Sequence, residues 1–228
     1  MLIEKSNSAH VNTVLYVGSG LSAKTAEKEQ QKVDVCCAVN NAWRVFEKGK
    51  VDYWIAPGDF PPANYPPKDF MCQRIGYAEY KNSAENLFSS LGESYKFPQH
   101  HAGYTTFFQG LYWIFDTLKP KEVYLLGFDH DYDPQKVALW LEQGKPSPQN
   151  KYGGAAPVLA NEWVNTFFEG CPVDAIYGHG TPDPLRLGIP LMQELFERAK
   201  GYANKLGIGV FNASGVTTGL NTFPQKTL

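Results

Sequence analysis

His179 stands between Gly178 and Gly180, directly after the apolar run 173–177 and just ahead of Pro182 and Pro184. An imidazole with a reference pKa of about 6.5 is neutral near pH 7 and can accept a proton. Where a strand stops, flanking glycines leave room for a bulky substrate, so His179 reads as a candidate general base. The alternative is a hydrogen-bonded loop histidine with no chemical role.

Other strand ends carry the same kind of residue. Gly18-Ser19-Gly20, in "GSGLSA", satisfies the Gly-x-Gly-x-x-Ala form of the dinucleotide fingerprint, in which glycines let backbone N–H groups approach a phosphate. A tight strand-to-helix turn explains the same residues. The second strand ends in Asn40-Asn41, where a nicotinamide site would carry Asp or Glu for the ribose. An amide both donates and accepts, which suits a base or ribose edge. Pro57-Gly58-Asp59, Gly127-Phe128-Asp129 and Asn212-Ala213-Ser214 complete a polar, small-residue rim. Asp129, Asp131 and Asp133 alternate after one strand and could hold Mg²⁺ with a diphosphate, or form a solvated acidic loop. No Walker Gly-x4-Gly-Lys-Ser/Thr pattern occurs, which argues against a P-loop kinase. His100 and His101 lack metal-ligand spacing and read as loop residues.

These residues need a scaffold, and the chain is long enough to supply one. Its 228 residues, 43% apolar and 19% charged, suit a single α/β domain over 1–228. A net charge of −2 gives no clear nucleic-acid surface. The start has no signal-peptide h-region, and no apolar run reaches the roughly 18 residues of a membrane span. Four cysteines without framework or zinc spacing point to reduced thiols and a cytoplasmic chain, with Cys36 and Cys37 on opposite faces of a strand. Tyr65, Tyr77, Tyr80, Tyr132, Tyr152 and Tyr177 fall in loop-like or strand-end text, some of them as a wall for a flat or sugar-like ligand.

Hydrophobic patterning predicts strands over 13–18, 33–39, 51–56, 122–128 and 208–214, with a further candidate at 70–76. It predicts helices over 22–32 with Ser22 as N-cap, through 40–49, over about 104–118, and over about 185–205. Continuous apolar strands alternating with helices imply a Rossmann-like, doubly wound, mostly parallel sheet with helices on both faces. Ligands then bind beyond the carboxyl ends of the strands. The polar segment at about 129–157, rich in Pro, Gly and Tyr, reads as a lid insertion.

In this order the pieces resemble the bacterial lipooligosaccharide sialyltransferases and the related 6-hydroxymethylpterin diphosphokinase-like proteins. "LYVGSGLSA" is similar to the family's first turn, and "VDVCCAVNNAW" to its second strand ending in Asn. "TTFFQGLYWIFDTLKPKEVYLLGFDHDY" resembles its Thr-Ser-Gly helix and following strand. "YGHGTPDPL" with "LGIGVFNASGVTTGLNTF" resembles its histidine-bearing strand end, long helix and terminal segment. The match runs from about residue 13 to residue 223.

The resemblance implies a glycosyltransferase that moves a sugar, with inversion, from a nucleotide-activated donor to an acceptor hydroxyl. A CMP-sugar is the favoured donor, and no metal cofactor is required. It implies a nucleotide cradle from Gly18, Ser19, Gly20 and Asn40, with Asn41 and Asp59 beside it. Thr105 and Thr106 would meet the phosphate, Tyr132 and Tyr152 the departing phosphate, and His179 the acceptor proton. Departures occur too: Ser19 and Leu21 replace the family's Asn and Pro, Phe107 and Phe108 stand near its Ser-Gly, and His100-His101 precede the helix where it has Arg. The family's basic, apolar C-terminal extension is missing, which implies a soluble acceptor. Two other readings stand beside this one. One is an ATP- and Mg²⁺-dependent diphosphokinase-like transfer at Asp129 and Asp131, and the other a non-catalytic nucleotide- or glycan-binding module. The oligomeric state, a homo-oligomer included, is open from the sequence.

Overall fold

A computed structural model describes residues 10–56, 60, 62–93, 105–129, 189–215 and 221–228. Six parallel strands lie in the order β4-β3-β2-β1-β5-β6. They are β1 (Thr13–Val17), β2 (Val35–Val39), β3 (Lys50–Ile55), β4 (Met71–Ile75), β5 (Glu122–Leu126) and β6 (Gly209–Asn212). This is the expected Rossmann-like α/β sheet. The chain winds outward from β1 to β4 and then returns to the other side of β1, so the order reverses between β1 and β5. That reversal is where a doubly wound sheet opens a crevice for ligands.

Burial on both faces explains the nearly unbroken apolar runs of β1, β2 and β5. Alternate residues of each strand point to opposite faces, and the two adjacent cysteines follow this rule as expected. Cys37 packs with Val14, Tyr16 and Ile55, and Cys36 with Leu15, Ala38 and Trp54. The first face is covered by α2 (Tyr77–Ser90), α3 (Thr106–Trp113) and α4 (Ile189–Lys205). Shorter turns cover the second. They are a 3-10 turn Leu21–Thr25, α1 (Ala26–Glu29) and a 3-10 turn Asn40–Val45.

Several helices depart from the sequence expectation, each for a physical reason. The segment 22–32 is not one helix capped by Ser22. Gly20 occupies the N-cap, and Ser22 lies inside the first turn with its side chain bound to Asp129. The turn at 40 is 3-10 throughout. Helix α3 starts on Thr105, whose Oγ1 accepts from the Phe108 N–H at 3.3 Å, and its apolar run ends in a π turn, Ile114–Leu118. Lys119 then breaks the helix in the left-handed region. Helix α2 was not foreseen, although Tyr80, Ser83, Ala84, Leu87 and Phe88 form its buried stripe at helical spacing. Its start is tied by the Gly76 N–H donating to Glu79 Oε2 at 3.0 Å.

Helix α3 is locked to β1 by contact rather than by surface complementarity alone. Tyr16, fully buried, donates its hydroxyl to the carbonyls of Thr106 and Phe107, both at 3.2 Å. Gly110 lies so close that a Cβ there would run into the Tyr16 hydroxyl. This contact sets the start of α3 beside the carboxyl end of β1. Among the described residues no helix is long and apolar enough to cross a membrane. The apolar run 173–177 before His179 and most of the expected lid at 129–157 lie outside the described residues.

Candidate functional site

The rim at the carboxyl ends is assembled from strand-end loops that the sheet brings together. The loop after β1 meets the loop after β5 in direct backbone contact. Gly18 N–H donates to the Leu126 carbonyl at 2.8 Å, and Gly20 N–H to the Gly127 carbonyl at 2.6 Å. A Cβ on Gly18 would lie 2.5 Å from the Gly127 oxygen, and one on Gly20 2.6 Å from Asp129 Oδ2. Gly127 itself has φ +75°, and a Cβ there would collide with the Gly18 carbonyl. The glycines are therefore required by the close approach of two loops. The amides of Gly18 and Gly20 thus already have backbone partners. Ser19, half-buried between them, makes no hydrogen bond among the described residues.

Asp129 fastens the same junction. Its carboxylate is buried and accepts the Ser22 N–H at 2.8 Å and the Ser22 hydroxyl in a very short contact. The Ser22 oxygen in turn accepts the Gly127 N–H at 2.8 Å. Both carboxylate oxygens are thus engaged with one serine, so Asp129 works here as a positioning residue for the two loops. Asp131 and Asp133 lie outside the described residues. Among the described residues no group of three His, Cys, Asp or Glu side chains could hold a metal ion.

A substitution measures this clamp. Asp129→Asn turns one acceptor into a donor facing the donors of Ser22, at an expected cost of about 1–3 kcal/mol. Ser22→Ala should lose a similar amount, and the double variant less than the sum, because both act through one network. Urea unfolding of the three variants checks this, and strict additivity would break the clamp into unrelated contacts.

The end of β2 has a different character. Asn40 takes φ +50°, a left-handed conformation that L-residues adopt at a cost and that asparagine tolerates best. Its backbone carbonyl accepts the Trp54 indole N–H at 2.8 Å. Its side-chain Oδ1 is buried and has no hydrogen-bond partner among the described residues. An unsatisfied buried acceptor costs about 1–3 kcal/mol and calls for a reason. Asn41, 2% exposed, is differently placed: its Oδ1 accepts from Arg44 Nε at 3.1 Å.

Thr105 and Thr106 are buried at the start of α3, Thr105 as its N-cap. They adjoin the β1–β5 junction through a cluster of rings, since Phe128 meets Tyr16 at a tilt, centroids 4.9 Å apart, and Phe107 edge to face at 4.7 Å. The sheet thus gathers Gly18, Ser19, Gly20, Asn40, Asn41, Thr105, Thr106 and Asp129 at one end. Asp59, Tyr132, Tyr152 and His179 lie outside the described residues. The sequence reading overlooked Ser22 as a clamp and Arg44 and Arg74 as rim cations. A signal existed for Arg44, which stands three residues after Asn41 on a helical turn. For Ser22 the partner is 107 residues away, beyond any local pattern. Comparison of the chain with family models, with curated proteins and with solved structures returns no match.

Proposed function

We propose that the protein is a glycosyltransferase of the sialyltransferase-like type that takes its sugar from a CMP-activated donor. The observation that carries this reading is the buried, unpartnered Oδ1 of Asn40 at the rim. An acceptor atom without a partner suits a ligand that supplies a donor, and a ribose hydroxyl or a base amino group does so. The free Ser19 and the paired threonines at α3 lie at the same end of the sheet and support a phosphate beside it.

Transfer then proceeds by direct displacement. His179, the base implied by the family resemblance, removes the acceptor's hydroxyl proton as the oxygen attacks the anomeric carbon. The bond between that carbon and the phosphate oxygen breaks, and the nucleotide monophosphate leaves with the bonding pair. Tyr132 and Tyr152 hydrogen-bond the departing phosphate in this scheme. Ser22 and Asp129 keep the two central loops in register and do not touch the reacting atoms.

A thermal-shift panel of CMP, CDP, UDP, GDP and ATP, each with and without Mg²⁺, tests the proposal. At about one hundred times its Kd a ligand stabilises by about 2.7 kcal/mol, or roughly 5–10 °C in a chain of this size. CMP should stabilise without metal, whereas a response to ATP with Mg²⁺ alone would replace the transferase with a diphosphokinase. Asn40→Gly separates binding from folding. Glycine keeps the left-handed backbone and removes the orphaned acceptor, so Tm should hold or rise while CMP affinity falls roughly tenfold. Unchanged CMP affinity in this variant would remove Asn40 from the site.

A further inference from the structure

Arg44 follows the carboxyl end of β2 and Arg74 stands near that of β4, and neither has a carboxylate partner among the described residues. Of the described arginines, Arg198 pairs with Glu194 at 2.9 Å, while Arg44 and Arg74 form no ion pair. Both are exposed, yet neither is loose. The Arg44 guanidinium lies 4.6 Å from the centroid of the Trp43 ring, with its Nε donating to Asn41 Oδ1. The Arg74 guanidinium lies over two rings, 4.6 Å from Tyr65 and 5.5 Å from Trp54, and its Nη2 donates to the Tyr65 hydroxyl at 2.9 Å.

The two cations share one framework around Asn40 and Asn41. Arg44 is fixed to Asn41 directly, and Arg74 rests on Trp54, whose indole N–H holds the Asn40 carbonyl. The Trp43 indole N–H donates to the Asn64 carbonyl at 3.0 Å, one residue before Tyr65. A guanidinium laid over a ring keeps its in-plane N–H groups for acceptors. Among the described residues, Arg44 retains the N–H groups of both terminal nitrogens, and Arg74 those of Nε and Nη1. The Tyr65 oxygen accepts from Arg74, which leaves its own proton to donate outward. Side chains already ordered by rings lose less freedom on binding than solvated arginines do.

We propose that Arg44 and Arg74, with the Tyr65 hydroxyl, form an oxyanion site beside Asn40 that takes a carboxylate or phosphate group of a ligand. The site does not depend on sugar transfer. It would serve an anionic group of substrate or effector in a binding protein as well, so failure of the CMP reading leaves it standing. A guanidinium matches the planar, two-oxygen edge of such groups by bidentate hydrogen bonding.

Tryptophan emission reads the site directly, because Trp43 and Trp54 lie beneath the two guanidinia. The full chain is titrated with inorganic phosphate and, separately, with acetate, at constant ionic strength held by chloride. One of the two should change the emission saturably, and the arm that saturates at lower concentration names the ligand group. Arg74→Gln should weaken that binding roughly tenfold or more, and Arg44→Gln should weaken it too. Both positions are exposed, and unchanged melting curves confirm that the variants fold. Arg74→Lys keeps the charge without the planar fork and should also bind more weakly. The proposal falls if neither anion saturates, if the double variant Arg44→Gln/Arg74→Gln binds as the wild type does, or if Arg74→Lys binds equally well.

Discussion

Gly127→Ala should lower the stability of the protein by about 3–4 kcal/mol, or roughly 6–16 °C in Tm. Two effects add at this position. The backbone has φ +75°, where an L-residue costs about 1–2 kcal/mol. A methyl group would also strike the Gly18 carbonyl and approach the Gly18 carbonyl carbon to 2.8 Å and Ala23 Cβ to 2.9 Å. None of these atoms can move easily, because Gly18 N–H is bonded to Leu126 and Ala23 is fully buried. Gly92 provides the control. Its φ is +74°, but a Cβ there would meet nothing within 4 Å. Gly92→Ala should therefore show the conformational cost alone, about 1–2 kcal/mol. Equal losses in the two variants, measured by urea unfolding, would mean that the loops are not in close contact at Gly127.

The contact between the two loops bears on where a ligand can lie. Reversal of strand order ordinarily splits the loops after the central strands and leaves a crevice between them. Here the Gly18 and Gly20 amides extend the β1–β5 pairing beyond the strands, and the Ser22–Asp129 clamp closes over it. The floor of the crevice is filled by backbone. A nucleotide would lie above this junction and reach toward the β2 end, where Asn40 has an acceptor to offer and Trp54 holds its backbone in place.

The sheet was readable because its central strands β1, β2 and β5 are apolar runs bounded by small or polar residues, as parallel strands buried on both faces must be. The edge strand β4 is half polar. All six described strands fall within two residues of the ends expected from the sequence. The loops at their carboxyl ends could also be named in advance, since sheet polarity alone decides which ends share a rim. What could not be read was how those loops pair. Ser22 has the residue type and position of an N-cap, and nothing local says that an aspartate from the loop after β5 captures it. The fragmentation of 21–32 into short turns accompanies that long-range bond. Helix α2 is a different case. Its buried stripe, Tyr80 to Phe88, carries ordinary helical spacing, but weak amphipathicity and two tyrosines near its start gave it the look of a loop. Unpartnered groups are the least legible of all. Whether Asn40 Oδ1 or the Arg44 and Arg74 guanidinia have partners depends on three-dimensional neighbours, not on the residues themselves.

His179→Ala should reduce turnover by about 10²-fold or more while leaving CMP affinity unchanged. A neutral imidazole supplies the only proton transfer the displacement needs before the nucleotide leaves, and general-base catalysis contributes about 10²–10⁴-fold. The base acts in its deprotonated form. In the wild type kcat/KM should then rise with pH through the imidazole pKa, about 6.5 for an unperturbed histidine, and level off above it. The variant should lose that rise. Release of CMP from a CMP-sugar provides the assay, with water or a simple sugar as the acceptor. Asn40→Gly should give the opposite pattern, a raised KM with turnover at saturation largely kept, because its acceptor holds the nucleotide equally in ground and transition states. The pair of variants thus divides the site into a half that binds and a half that reacts. Wild-type turnover in His179→Ala would take the base away from His179 while leaving the proposed nucleotide site at Asn40 standing.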